Sequence, residues 1–310
     1  MDRIATLGRA DDPAGFAPNV EVARSPDGRF YVSSATFNGQ IWVYDSSGQL
    51  EARIGREGEA PGEYRGQLIL RFRADTLVVL GFSPPRLTLL DPAGSVARLV
   101  TLRGRAFDVA ARSRDFVLVE TAPDAETIRL KLLSNDGADE RVLDSGLALD
   151  QRSGAWYRHS LAVTPGDTVV ALARNEYALA AFDGVGNVVQ QLRGERDWPS
   201  GPVRSGRRDL RTERAALQMT GVQTAGGVHL RVWAATADRA WRARRPDEDY
   251  TASDVYDTVV EVIDLRTGEL VARSWFDDLI LPIGNSHAQT VRETPEGDRR
   301  IDVFEVTFTR

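Results

Sequence analysis

Cysteine is absent from the 310 residues and lysine occurs once. The first absence excludes disulfides, thiolate nucleophiles and thiolate metal sites. The second leaves Schiff-base or phosphate-loop lysine chemistry to Lys131 alone, in LKLLSNDG, a stretch that reads as a strand before a turn. No apolar run approaches the roughly 20 residues of a membrane helix. A net charge of -6 lacks the basic surface that broad nucleic-acid binding requires. The opening MDRIATLGR lacks the regions of a signal peptide. The expectation is therefore conditional: cytoplasmic if Met1 is the native start, extracytoplasmic (periplasmic or lipid-anchored) if a leader was removed.

What is present is a repeat. One unit reads apolar pair, Asp, small or polar residues, Gly, apolar strand: VYDSSGQL from Val43, LLDPAGSV from Leu89, AFDGVGNV from Ala181 and VIDLRTGEL from Val262, with LLSNDGADERV from Leu132 as a degraded copy. The Asp can accept bonds from the turn backbone and the Gly can take positive φ, so each unit is a hairpin. A second hairpin lies upstream in most copies: RSPDGRFYV, FRADTLVVL, ARSRDFVLV and VTPGDTVVA. Two hairpins per repeat make a four-stranded unit, and the intervals between units are those of propeller blades.

The fourth strand ends in EARIG at Gly55, VTLRG at Gly104, VLDSG at Gly146, QQLRG at Gly194 and SWFD at Asp277. RIATLG, ending at Gly8, has the same form with no strands before it. The missing three are expected at the other end, over 279–310, so that the N-terminal strand completes the last blade and closes the ring. The fold expected is all-β: a six-bladed β-propeller of four-stranded antiparallel blades, one domain over 1–310, with insertions at about 195–220 and 237–255. The first insertion contains a short helix expected at about 204–218, where RSGRRDLRTERAALQ lacks β-branched alternation.

In such blades the one-to-two and three-to-four turns share one face. Here they are uniformly short, whereas the blade links and two-to-three loops on the other face hold every long piece. Function tends to sit in loops on a rigid scaffold, so a binding site is expected on this elaborated face, near the channel mouth.

One link, GREGEAPGEYRG from Gly55 to Gly66, is glycine-rich, yet it has no GKS/T and its Glu57, Glu59 and Glu63 would repel phosphate. It reads as a blade link with Tyr64 packed under its glycines; the alternative use of its carboxylates is a divalent cation, calcium being the one such oxygens suit. The link resembles the GxGPGEF-like stretch of NHL-related six-bladed β-propellers, common among exported bacterial proteins and lipoproteins. Ala60 stands where Gly is usual, and Tyr64 replaces Phe. The WFDD before blade six and the closing VFEVTFTR are similar to that group as well. The resemblance implies a propeller, export, and little about chemistry.

Candidate binding residues follow from the insertions. Arg207, Arg211 and Arg214 fall on one helical stripe that could present guanidiniums to an anionic ligand or acidic partner, or face water. Trp198 and Trp241 could anchor a partner, or cap the propeller. Tyr157 and His159, in WYRHSLAV, are expected near the channel, with a structural hydrogen-bonding role as the blander reading. His229 and His287 complete the histidines, and no metal spacing, Ser-His-Asp set or GxSxG is present. Glu21 is the one candidate metal ligand, by analogy with calcium-dependent lactonase propellers. No catalytic residue is assigned and no cofactor is expected, calcium aside. The function expected is non-enzymatic binding of a protein or small anionic ligand, as a sensor, scaffold or accessory subunit, by a monomer or a subunit of a larger assembly. The rival is a metal-dependent hydrolase, lactonase or lyase with carboxylates at the channel mouth.

Overall fold

A computed structural model describes residues 1–9, 12, 15–18, 20–122, 128–145, 147, 160–173, 177–193, 218–239, 242 and 254–308. The strands form six four-stranded antiparallel sheets, each ordered from an innermost to an outermost strand. Blade 1 comprises Val20–Arg24, Phe30–Ser34, Ile41–Tyr44 and Leu50–Ile54; blade 2, Ile69–Arg73, Thr76–Phe82, Pro85–Leu90 and Val96–Thr101; blade 3, Ala106–Ala111, Asp115–Thr121, Ile128–Ser134 and Glu140–Leu143. Blade 4 comprises Leu161–Val163, Val169–Ala173, Ala178–Phe182 and Val188–Arg193; blade 5, Gln218–Thr224, His229–Ala237, Tyr256–Asp264 and Leu270–Phe276. Blade 6 comprises Leu281–Ile283, His287–Glu293 and Arg299–Glu305, completed by Asp2–Leu7 from the N-terminus. The six innermost strands neighbour one another around a closed ring.

The expected fold is the one observed, closure included: Thr6 pairs with Asp302 and its hydroxyl donates to the Asp302 carboxylate at 2.6 Å. Pairing the two ends of the chain gives blade 6 its outer strand. The long interval after Gly194 is one blade, and its second insertion lies between strands two and three of blade 5. The helix expected at 204–218 lies outside the described residues except at its last position, Gln218, which begins a strand.

Each blade is buried on both faces, which is why its middle strands read as unbroken apolar runs. In TLVVL of blade 2, Leu77 and Val79 pack toward blade 1 while Val78 and Leu80 pack toward blade 3. Apolar clusters of this kind fill every junction between neighbouring blades. The outermost strands are largely exposed, as the patterns of Leu50–Ile54 and Leu270–Phe276 show.

The Asp turns work as the repeat implies. Asp45 Oδ1 accepts from the amides of Ser47 and Gln49, both at 2.8 Å, and Asp183 Oδ1 does the same for Val185 and Asn187. In several blades the glycine closing the turn has a further task. A Cβ on Gly48 would run into the Thr6 carbonyl, one on Gly94 would lie 3.0 Å from Ile54, and one on Gly268 would lie 2.8 Å from Leu192. In each case the obstacle is the outermost strand of the preceding blade, so the turn is a staple between blades as well as a hairpin.

Candidate functional site: the axial channel and the two faces

Three innermost strands carry a charged residue within their apolar stretch: Glu21 in VEVAR, Arg71 in ILRFR and Asp108 in AFDVAA. These meet across three blades. Arg71 bonds the Glu21 carboxylate through Nη1 and Asp108 Oδ1 through Nη2 at 2.7 Å, with both acids fully buried. Asp108 also accepts from the amide of Leu161 at 3.1 Å, extending the network to blade 4. Burial pulls the Arg71 guanidinium down, but Asp108 and Glu21 outweigh it and leave its pKa above the ordinary value. A carboxylate held in this way is a partner for an arginine. Glu21, the expected candidate metal ligand, is one of them, and among the described residues no group of three or more His, Asp or Glu could hold a metal ion.

Above Arg71 the channel widens into a cavity of about 420 Å³ to which all six innermost strands contribute. It is bounded by the turns Ser25–Pro26, Ala74 and Gly284–Ser286, which places it at the mouth ringed by the short turns. This is the mouth opposite the one that loop length points to. The physical reason is simple: turns of a few residues leave the rim uncovered. Its walls mix aliphatic side chains with polar groups in about equal measure, the polar side chains including Arg24, Arg71 and His287.

His287 begins strand two of blade 6 and is buried. Arg24 Nη1 lies 2.6 Å from His287 Nε2, and Ser286 Oγ lies 3.0 Å from Nδ1. Because the guanidinium can only donate, Nε2 accepts, and the remaining proton is on Nδ1, donated to Ser286. Burial, with Arg24 and Arg231 nearby, lowers the His287 pKa to about 4. At neutral pH the imidazole is uncharged, with its basic nitrogen already in use.

The glycine-rich Gly55–Gly66 link is occupied with its own folding. Glu63 Oε2 accepts from the amides of Glu59 and Ala60 at 3.0 and 2.9 Å, and Glu63 Oε1 pairs with Arg56 at 2.6 Å. The bond from Ala60 and then the one from Arg56 lower the Glu63 pKa. Arg86, buried in blade 2, donates to the carbonyls of Glu59 at 2.5 Å, Ala60 at 2.9 Å and Glu63. Tyr64 is buried against Gly55, whose φ is +76°. The preceding link repeats the device: Phe16 lies against Gly8, also at φ +76°.

Lys131, the single lysine, is buried in blade 3 between Glu120 at 2.7 Å and Glu140 at 3.2 Å. Its place is structural. Arg207, Arg211, Arg214, Trp198, Trp241, Tyr157 and His159 all lie outside the described residues. The residues that sequence reasoning missed are Arg71, Asp108, Arg24 and His287. The first two had a signal, a charge in the third place of an innermost strand that opens on two apolar residues; Arg24 and His287 are brought together by ring closure alone.

Fold and channel together define a six-bladed β-propeller with a buried ion network centred on Arg71 at its axis. No family model matches the sequence, and no curated protein matches it either. Among solved structures, a member of the DUF4221 family from Bacteroides vulgatus aligns with a TM-score of 0.63 at 9% identity, over 97% of each chain. A candidate exported protein from Bacteroides fragilis aligns at 0.60 and 11% identity, over 97% of this chain and 94% of that one. Virginiamycin B lyase from Staphylococcus aureus aligns at 0.55 and 8% identity, over 97% and 98%. At these identities the likeness is one of fold.

Proposed function

We propose that this chain is a non-enzymatic binding propeller, one domain over 1–310, that takes a protein partner or anionic ligand on the face bearing the long blade links. The observation that carries the reading is the segregation of loops. On one face the hairpins close within short spans such as 45–49, 91–95 and 183–187, while the other carries 8–19, 55–68, 194–217 and 238–255 between successive strands. A scaffold stapled between most neighbouring blades and elaborated on one side is built to present that side. Arg207, Arg211 and Arg214, with Trp198 and Trp241, fall within the elaborated segments and would supply charge and aromatic anchors, with Tyr157 and His159 nearer the axis. A role as an extracytoplasmic sensor, scaffold or accessory subunit accords with the resemblance of the Gly55–Gly66 link to exported propellers and with the Bacteroides fragilis neighbour.

The test compares what is captured by the native protein, by a triple charge reversal (Arg207→Glu, Arg211→Glu, Arg214→Glu) and by a short-turn control, Arg266→Glu. Partners should be lost from the first variant and retained by the second. Identical capture by all three would reject the proposed face.

A further inference from the structure

The cavity at the short-turn mouth has a chemistry of its own, independent of the elaborated face. Three observations define it. First, Arg24 projects into it from the end of strand one of blade 1, and among the described residues no carboxylate lies within ion-pair distance of its guanidinium. Its Nη1 is spent on a neutral imidazole, and its Nε is buried with no hydrogen-bond partner among the described groups. The carboxylate of the adjoining turn, Asp27, is taken by the Ser25 hydroxyl and by Arg29 at 3.4 Å. Second, the acids deeper in the channel, Glu21 and Asp108, are bound to Arg71 and do not reach Arg24 as counterions. Arg24 is partly buried, and a guanidinium partly withdrawn from water without a counterion gains from a ligand anion. Third, aliphatic side chains, Leu70, Val109, Leu161, Val222 and Ile283 among them, stand on the walls between the polar groups. A volume of about 420 Å³ lies within the range of small-molecule pockets, which combine apolar walls with a few convergent polar groups.

We infer that this cavity is a binding site for a small amphiphilic monocarboxylate, its carboxylate on Arg24 at the rim and its apolar body along the aliphatic side chains. Nη2 of Arg24, with the N–H of Nη1 that is not given to His287, is left for a carboxylate, and Ser286 and Asn285 stand in the same rim to add polar contacts. The site differs in face, residues and ligand size from the surface proposed above, so either can fail without the other.

The probe is hexanoate, with hexanol and inorganic phosphate as the two halves of its chemistry. Hexanoate should raise the melting temperature in a saturable manner and move the His287 imidazole NMR resonances, since an anion on Arg24 sits against the group bonded to Nε2. Hexanol and phosphate should each give weaker effects. Arg24→Gln should weaken hexanoate binding at least tenfold, whereas the triple reversal at Arg207, Arg211 and Arg214 should leave it unchanged. If Arg24→Gln does not fold, the His287 resonances of the native protein decide. No hexanoate-dependent change in them, a phosphate effect equal to that of hexanoate, or full binding by a folded Arg24→Gln protein would overturn the inference.

Discussion

Arg71 Nη2 lies 2.7 Å from Asp108 Oδ1, joining the innermost strands of two neighbouring blades while Nη1 of the same guanidinium holds Glu21 of a third. Removing one member of such a buried set leaves uncompensated charge. Arg71→Met should therefore destabilise the protein by about 3–5 kcal/mol in urea unfolding, whereas the triple replacement with Glu21→Gln and Asp108→Asn should recover most of the loss. Equal losses in the single and triple variants would show that packing, not charge, dominates at the axis.

The glycine staples make a paired prediction. Gly48→Ala places a methyl group against the Thr6 backbone of blade 6 and should cost about 2–4 kcal/mol, the sum of a strained positive φ and an overpacked contact. Gly297 has a similar φ of +86° with open space around it. Gly297→Ala should cost only about 1–2 kcal/mol, measured by the same unfolding curves.

Tyr64 anchors the Gly55–Gly66 link, with Gly55 making room for its ring. Tyr64→Ala should cost about 3–5 kcal/mol, and Tyr64→Phe, the residue usual in similar links, less than about 1.5 kcal/mol. Calorimetric melting of the two variants separates ring packing from any role of the hydroxyl.

His287 gives the pH dependence a defined sign. Its pKa is 6.5 when unfolded and about 4 when folded, so the unfolded chain takes up the proton first. Its contribution is intact above pH 6.5, falls away as pH drops from 6.5 to about 4, and changes no further below that. Over that window the native protein should lose up to about 3 kcal/mol more than His287→Gln. Parallel stability profiles for the two proteins would contradict the buried neutral imidazole.

The fold was legible because its signals are local. DSSG at 45–48 and DGVG at 183–186 specify their own turns through the Asp carboxylate, and RIATLG declares a fourth strand by matching EARIG. The blade-link reading of GREGEAPGEYRG was legible for the same reason, down to Tyr64 beneath its glycines. The axial site was legible only in part. Arg71 meets Glu21 and Asp108 across separations of 50 and 37 residues, and Arg24 meets His287 across 263. Such pairs exist only once the ring has closed, and no spacing rule in one chain announces them. Loop length points to one mouth of the channel, where much of the long insertions lies outside the described residues, and the described cavity opens at the other.

Hydrogen exchange with a captured partner bound tests the binding face most directly. Protection should appear in the links and insertions at 8–19, 55–68, 194–217 and 238–255, with the short turns at 45–49, 91–95 and 183–187 unchanged. Protection confined to the short turns, or spread evenly over both faces, would contradict the account.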